Sequence, residues 1–135
     1  MSNKATTRNL ANAWPGMVVV PVRITYGASG AITNWKGPGI TSVVDGGAGI
    51  ATITLAHGYA GGCLGIFGWS REGAAGTANL FPIVSTDNSD STSSAPTVGI
   101  TLTTEAGTAT DPTDTNVYTF FLAFDELNMV QTVTP

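Results

Sequence analysis

Charged side chains are scarce in this chain. Five basic and nine acidic residues make up 10% of its 135 residues, whereas charged residues make up about 25% of an ordinary soluble domain. Glycine and threonine fill the difference, with 17 glycines and 21 threonines. A surface of hydroxyls, backbone and small side chains costs little to desolvate, because few ions must leave water. The composition therefore favours a surface that other proteins cover, typical of an assembly component rather than of a free enzyme.

Cations are the scarcest charges. Lys4 and Arg8 lie near the N-terminus, which leaves Arg23, Lys36 and Arg71 for the rest of the chain. Three scattered cations cannot follow a phosphate backbone, so we expect no direct binding to nucleic acid.

Cysteine and long apolar runs are also nearly absent. Cys63 is the only cysteine, which excludes an intrachain disulfide and a thiolate metal cluster. The polar start of the chain has no apolar signal-peptide core, and no apolar run approaches the roughly 20 residues that cross a bilayer. We expect synthesis in a cytosol, no membrane partner and no cofactor.

Residues 1–16 predict an extended N-terminal arm. The segment is rich in Asn, Thr and Ala and ends in Trp14-Pro15-Gly16. Fully extended, it would reach about 50 Å, whereas the compact remainder would have a radius of gyration of about 14 Å. Leu10 and Trp14 indicate docking on a neighbouring protein, because a large aromatic residue is a poor choice for a solvated tail. A frayed terminus is the alternative.

Residues 17–135 predict one all-β domain, a β-sandwich or barrel of about eight short antiparallel strands. The first strand, 18–26, alternates apolar and other residues, and Pro21 places it at an edge or delays its pairing. The other predicted strands are 31–35, 40–44, 50–55, 80–86, 98–103 and 117–124, and residues 64–69 are an apolar run interrupted by glycines.

Three segments give more specific expectations. Asp45-Gly46-Gly47 predicts a hairpin turn, because these residues tolerate positive φ. Residues 56–62 are small and predict one turn of helix. Residues 117–124 are apolar on both sides, which predicts a central strand covered on both faces.

Catalytic residues are hard to assemble from this sequence. His57 is the only histidine, with Tyr59 and Cys63 close by, but no carboxylate lies between Asp45 and Glu72. A hydrolytic site needs a nucleophile, a base and an orienting carboxylate. We therefore expect no enzyme activity, and we expect Cys63 to pack as a small hydrophobic residue.

Two acidic clusters could bind calcium, but neither has the spacing of an EF-hand. Asp and Asn are also common turn residues, so we interpret both clusters as turns and expect no metal site. The clusters are Asp87, Asn88 and Asp90, and Asp111, Asp114 and Asn116.

Aromatic residues provide the remaining candidates for binding. Trp35, Tyr59, Phe67 and Trp69 could line a sugar-binding platform, although such residues more often belong to a core or an interface. With Leu10 and Trp14 of the arm, we take Trp35 and Trp69 as the candidate partner-binding residues.

Two stretches resemble small structural proteins of tailed bacteriophages, including the head decoration or cement proteins. One is Val22–Leu55, VRITYGASGAITNWKGPGITSVVDGGAGIATITL, with its GASGAI turn, KGPGI–SVV strand and GGAG turn before TITL. The other is Thr108–Leu127, TATDPTDTNVYTFFLAFDEL. The resemblance covers about half of the chain and implies a β-sandwich that often trimerises on the outside of a capsid.

Composition and resemblance together give one functional hypothesis. It is a non-enzymatic virion protein, a homotrimer that binds the major capsid protein and stabilises the assembled head. One alternative is a tail-fibre or baseplate β-domain that contributes to host recognition through its loops. The other is a carbohydrate-binding module that uses exposed aromatic residues.

Overall fold

The computed structural model describes residues 16–73, 79–92 and 95–127. Within these ranges the chain forms eight strands and one turn of 3-10 helix at Ala28–Gly30. The strands are β1 (Met17–Tyr26), β2 (Ile32–Lys36), β3 (Ile40–Gly47), β4 (Ile50–Leu55), β5 (Cys63–Glu72), β6 (Phe81–Asn88), β7 (Thr97–Thr103) and β8 (Val117–Asp125).

The strands make two antiparallel sheets of four, which confirms the all-β prediction and gives a sandwich. Sheet A has the order β2-β1-β8-β5, and sheet B has the order β3-β4-β7-β6. The edge strands of the two sheets approach each other as pairs, β2 with β3 and β5 with β6. The strands β5 and β6 therefore border the same open side of the sandwich.

The core lies between the sheets and follows the period-two pattern of the strands. Sheet A contributes alternate residues of β1 and β8, and sheet B contributes alternate residues of β4 and β7. These buried side chains are Val20, Val22, Ile24 and Tyr26, Tyr118, Phe120, Leu122 and Phe124, Ala51, Ile53 and Leu55, and Val98, Ile100 and Leu102.

The hairpin between β3 and β4 turns later than the sequence predicts. Strand β3 continues through Gly47 after a bulge, and the turn lies at residues 48–49. The side chain of Asp45 accepts a hydrogen bond from the Gly47 N–H at 3.0 Å, which holds the bulge. Gly49 has φ +68°, and a Cβ there would lie 2.5 Å from the Thr110 carbonyl oxygen. The reversal therefore requires glycine at position 49.

The predicted helical turn at residues 56–62 is wrong. This segment forms bends and turns that close one end of the core. Tyr59 is buried there and stacks on Phe124 with ring centroids 4.5 Å apart. The glycines at 58, 61 and 62 also disfavour a helix.

The sequence predicts that Pro21 either places its strand at an edge or delays its pairing, and the structure shows delayed pairing on the β2 side. Strand β1 is internal to sheet A, between β2 and β8. Pro21 lies opposite Phe121 of β8, but the pairing of β1 with β2 starts only at Arg23. The ladder on the β2 side thus begins after the residue that has no N–H to donate.

In the part of the chain that the structure describes, no helix has the length and apolarity to cross a membrane. The predicted arm up to Pro15 lies outside the described residues.

Candidate partner-binding surface

The outer side of β8 is apolar and open. Phe120 and Leu122 point into the core, so Phe121 and Ala123 point away from it. Phe121 is 38% exposed. The prediction that this strand is covered on both faces is therefore wrong for its outer face: β8 is central in its sheet, and among the described residues only sheet B covers it.

Two bulges in β5 add large side chains to the same surface. The register of β5 against β8 shifts between Cys63 and Gly65 and again between Ile66 and Gly68. At each bulge two residues of β5 oppose one residue of β8, which places Leu64 and Phe67 on the outer side with a glycine next to each. Phe67 is 62% exposed and Leu64 is 39% exposed.

These residues form two apolar rows across three adjacent strands. The strand registers pair Val19 with Ala123 and Pro21 with Phe121, and they place the bulge residues Leu64 and Phe67 at the ends of these two rows, each before the glycine that pairs with β8. Ala123 is only 4% exposed although its register position lies on the outer side. We call these six residues the apolar face.

The apolar face ends in a polar row. Arg23, Thr119 and Ser70 follow Pro21, Phe121 and Phe67 along the three strands. Arg23 lies opposite Lys36 of β2, and its Nη2 is 2.7 Å from Oε2 of Glu72. The side chains of this ion pair are 39% and 62% exposed, so it contributes only about 0–1 kcal/mol to stability.

A depression of about 320 Å³ lies where the apolar face meets these cations. Its lining is largely apolar and includes two cations, of which Arg23 is already paired with Glu72, so it fits an apolar group that has a negative charge on the side of Lys36. It is lined by Pro21, Arg23, Lys36, Pro38, Thr119 and Phe121.

Trp69 lies on the other side of β5. It is opposite Phe120 in register and points between the sheets, but it remains 41% exposed because β5 is an edge strand. Its ring stacks on Tyr118 at 6.1 Å and meets Phe81 of β6 edge-on at 6.4 Å. Trp69 is thus an accessible aromatic residue at the open side of the sandwich, next to the apolar face rather than within it.

The other predicted partner-binding residues are not brought together with Trp69. Trp35 lies opposite Ile24 on edge strand β2 and packs against the core, at the far edge of sheet A. Leu10 and Trp14 lie outside the described residues.

Sequence reasoning missed Leu64 and Phe121, and it considered Phe67 only as part of a sugar platform. A signal for Phe121 was present, because residues 117–124 have too many apolar side chains for a strand with one wet face. The sequence does not predict the bulges that turn Leu64 and Phe67 outward. The four residues of the suggested platform do not share a surface: Tyr59 is buried on Phe124, and Trp35 is at the other edge.

The outer side of sheet B is rich in hydroxyl groups, with the exposed apolar residues Val44, Phe81 and Ile83 on its edge strands. Thr101 donates to the Ser85 hydroxyl at 2.7 Å, and Ser85 donates to the Gly99 carbonyl at 3.3 Å. None of the positions that the described registers place on this side carries a charge. The threonines among them are Thr52, Thr54, Thr86, Thr97, Thr101 and Thr103.

His57 and Cys63, which were considered for catalysis, contact neighbouring backbone groups and core side chains. Nδ1 of His57 lies 3.1 Å from the neighbouring Gly58 carbonyl, and the His57 ring tilts against Tyr59 at 4.7 Å. Cys63 packs partly buried against the core. Burial raises the pKa of its thiol, the nearby Asp87 carboxylate adds to the rise, and a hydrogen bond to the Gly65 carbonyl opposes it. A thiol with a raised pKa is a poor nucleophile at neutral pH.

The acidic loop residues bind backbone groups. Asp87 accepts hydrogen bonds from the N–H groups of Cys63 and Ser89, both at 3.0 Å, and from the Ser89 hydroxyl. Asp111 accepts one from the Gly49 N–H at 2.8 Å. Among the described residues, no group of three or more His, Cys, Asp or Glu side chains could hold a metal ion.

Comparisons with known proteins identified no relative of this chain. No protein-family model matches the chain, and comparison with curated proteins and with solved structures found no similar protein.

Proposed function

We propose that this chain is a non-enzymatic structural protein of a phage virion, a decoration protein that binds the major capsid protein on the outside of the head. The observation that supports this proposal is the apolar face, where two rows of apolar side chains lie open on a protein with few charges. Contiguous apolar surface of this kind marks a protein–protein contact. The sequence resemblance points to the kind of assembly.

The energetics of such a surface suit lattice stabilisation. Burying Phe67 and Phe121 under a partner contributes about 1.5–3 kcal/mol for each side chain that becomes fully covered. The depression beside Arg23 and Lys36 would accept an apolar side chain flanked by a carboxylate of a neighbouring protein. A protein that binds only the assembled lattice shifts the equilibrium toward assembly.

We further propose that three copies act together. A homotrimer that contacts several capsid subunits gains binding strength from effective concentration, so that each contact can be weak. Trp69, at the open side of the sandwich, would then contact either a second copy or the capsid.

The test uses heads of the phage that encodes this chain, prepared without the protein, and purified protein added back. We expect the wild type to co-sediment with heads and raise the temperature at which they release DNA. Phe67→Ser/Phe121→Ser should lose at least about tenfold in affinity, or ~1.4 kcal/mol. The matched control Val44→Ser/Ile83→Ser alters exposed apolar residues of sheet B and should bind like the wild type.

Two results would contradict the proposal. The first is wild-type protein that does not bind heads. The second is immunogold label on tails of intact particles, which would support the fibre or baseplate alternative instead. Equal binding by the two double variants would leave the protein on the head but reject the apolar face as its contact.

A further inference from the structure

An exposed apolar side chain with a carboxylate beside it lies just after β8. Leu127 is 57% exposed, and the neighbouring Glu126 is exposed as well. The two residues form a bend rather than a strand, so their side chains are not held on opposite faces of a sheet. We call Glu126 and Leu127 the Leu127 knob.

Hydrogen bonds and close packing hold the knob in place. The Glu126 N–H donates to the Gly16 carbonyl at 3.0 Å, and the Leu127 N–H donates to Oδ1 of Asp125 at 3.1 Å. Asp125 is buried, and its own N–H donates to the Gly62 carbonyl at 2.9 Å. Leu127 packs on Gly16, where a Cβ would lie 2.4 Å from the leucine Cγ. An exposed side chain on such a fixed support loses little freedom when a partner covers it.

The depression beside Phe121 has the complementary chemistry. Arg23 and Lys36 are two of the three cations among the described residues, and they lie opposite each other in the register of β1 and β2. Arg23 is paired with Glu72, whereas Lys36 is exposed and forms no ion pair within the described ranges. Like charges placed opposite each other are unfavourable. A carboxylate that arrives beside Lys36 is therefore attracted, and an apolar side chain next to that carboxylate can cover Pro21 and Phe121.

Few surface segments of this chain have that chemistry. Among the large apolar side chains that are exposed in the described ranges, two have an acidic neighbour in the sequence, Val44 with Asp45 and Leu127 with Glu126. The Asp45 carboxylate already accepts the Gly47 N–H within the bulge of β3. The Leu127 knob is therefore the segment that matches the depression.

We infer that the Leu127 knob of one copy binds in the depression of a second copy, with Glu126 beside Lys36. Leu127 cannot reach the depression of its own chain, because it packs on Gly16, and Pro21 lies about 16 Å farther along the chain at 3.3 Å per residue. Knob and depression are separate, so the contact is directional, and three such contacts can close a ring. The ring rests on the proposed homotrimer and identifies the surfaces that hold it together.

This contact leaves part of the apolar face open. The depression is bordered by β1, β2 and β8, whereas Leu64 and Phe67 lie on β5. The ring can therefore form without covering Phe67, which is 62% exposed. A trimer built in this way still presents apolar side chains to a further partner.

Sedimentation equilibrium of the full chain measures the contact. We expect the wild type at three times the 13.8 kDa mass of one chain. Leu127→Ser should weaken each contact at least about tenfold, because a leucine that the partner covers is lost. Val44→Ser is the matched control, since Val44 is 53% exposed on sheet B, and it should associate like the wild type. A monomeric wild type, or equal association of the two variants, would overturn the inference.

Charge reversal tests the pairing of Glu126 with Lys36 and does not depend on the packing of Leu127. Lys36→Glu and Glu126→Lys should each weaken association about two- to fivefold at low salt, because each places like charges together. The double variant Lys36→Glu/Glu126→Lys should recover most of the loss. A double variant that associates as weakly as the two single losses combined would overturn the inference.

Cross-linking tests which surfaces meet. In a Cys63→Ser background, Thr119→Cys/Leu127→Cys places one thiol in the depression and one on the knob. Under mild oxidation we expect disulfide-linked dimers and trimers on a denaturing gel without reductant. Thr52→Cys/Leu127→Cys, with its first thiol on sheet B, should remain single chains. Equal cross-linking of the two variants, or none in either, would overturn the inference.

Phage heads separate this inference from the proposed function. A wild type that is monomeric but co-sediments with heads would overturn the ring and leave the capsid contact standing. A trimer that depends on Leu127 and on the charge pair, but does not bind heads, would support the ring and contradict the proposed function.

Discussion

The outer faces of the two sheets are both poor in charge, but they replace it with different chemistry. On sheet A the apolar side chains are contiguous, since they come from the three adjacent strands β1, β8 and β5. On sheet B the exposed apolar residues are confined to the two edge strands, Phe81 and Ile83 on β6 and Val44 on β3, and threonines of β4 and β7 separate the two edges. Within the described ranges, sheet A therefore presents an apolar patch that crosses three strands, whereas that of sheet B stays on single edge strands.

This difference shows why low charge alone does not define a binding surface. Threonine hydroxyls can form hydrogen bonds within the sheet, as Thr101 does with Ser85, or with water. A face of this kind can stay in solvent. A row such as Pro21, Phe121 and Phe67 gains nothing from water and is stabilised only when another surface covers it.

The largest expected effect tests whether the apolar face differs from the core. Phe120 is fully buried and stacks on Tyr118 at 5.8 Å, so Phe120→Ala should lower the free energy of unfolding by about 3–5 kcal/mol. Phe121→Ala, one residue along, should cost at most about 1 kcal/mol, because its partly exposed ring leaves no cavity in the core. Urea denaturation of both variants measures this. Equal losses would mean that the outer face is buried as deeply as the inner one.

Phe120 and Phe121 also show how much of the fold can be predicted from the sequence. Alternation predicted β1, β4, β7 and β8 within one or two residues, because each has an inward face of Val, Ile, Leu or aromatic residues. It could not distinguish Phe120 from Phe121, since the strand is apolar on both sides and nothing in the pattern says which side the second sheet covers.

The rest of the site depended on interactions between distant residues. Leu64 and Phe67 face outward because β5 bulges against β8, which is more than 50 residues away in sequence. The late turn after β3 depends on Asp45 and on the approach of Thr110 to Gly49. Local propensity carries no information about such contacts.

A second prediction tests whether hydroxyl groups on the outer side of sheet B contribute to stability. Thr101→Val keeps the side-chain shape but removes the hydrogen bond to Ser85, on a residue that is largely buried. We expect a loss of about 0.5–1.5 kcal/mol in the free energy of unfolding. Thr52→Val on the same face, where the side chain is half-buried, should stay within about 0.5 kcal/mol of the wild type. If Thr101→Val were neutral, the hydroxyl network would not distinguish this face from the apolar one.

A third prediction concerns the ion pair at the border of the apolar face. Arg23→Gln removes the contact with Glu72, and because both side chains are exposed the loss should be below about 1 kcal/mol. Glu72→Gln should give a similar loss. In 1 M salt both variants should approach the wild type in thermal unfolding, since screening weakens exposed pairs. A loss that persists at high salt would show that Arg23 stabilises the fold by packing rather than by charge.

The smallest expected effect is a pH dependence at the open side, where Asp87 of sheet B accepts a hydrogen bond from the Cys63 N–H of sheet A. Burial tends to raise the pKa of Asp87, but hydrogen bonds from the Ser89 hydroxyl and the Ser89 and Cys63 N–H groups outweigh burial and lower it below 3.8. A carboxyl group whose pKa is lowered by folding stabilises the protein above its unfolded pKa, and this contribution is lost as the pH falls through the folded pKa.

The difference in unfolding free energy between the wild type and Asp87→Asn should therefore be largest above pH 3.8 and shrink at lower pH. Ser89→Ala removes one of the three donors and so brings the folded pKa of Asp87 closer to the unfolded one; its loss of stability on acidification should be smaller than that of the wild type and complete at a higher pH. Urea denaturation across this pH range measures both. A constant difference would mean that Asp87 acts through the shape of its turn, and that the contact between β5 and β6 depends on packing alone.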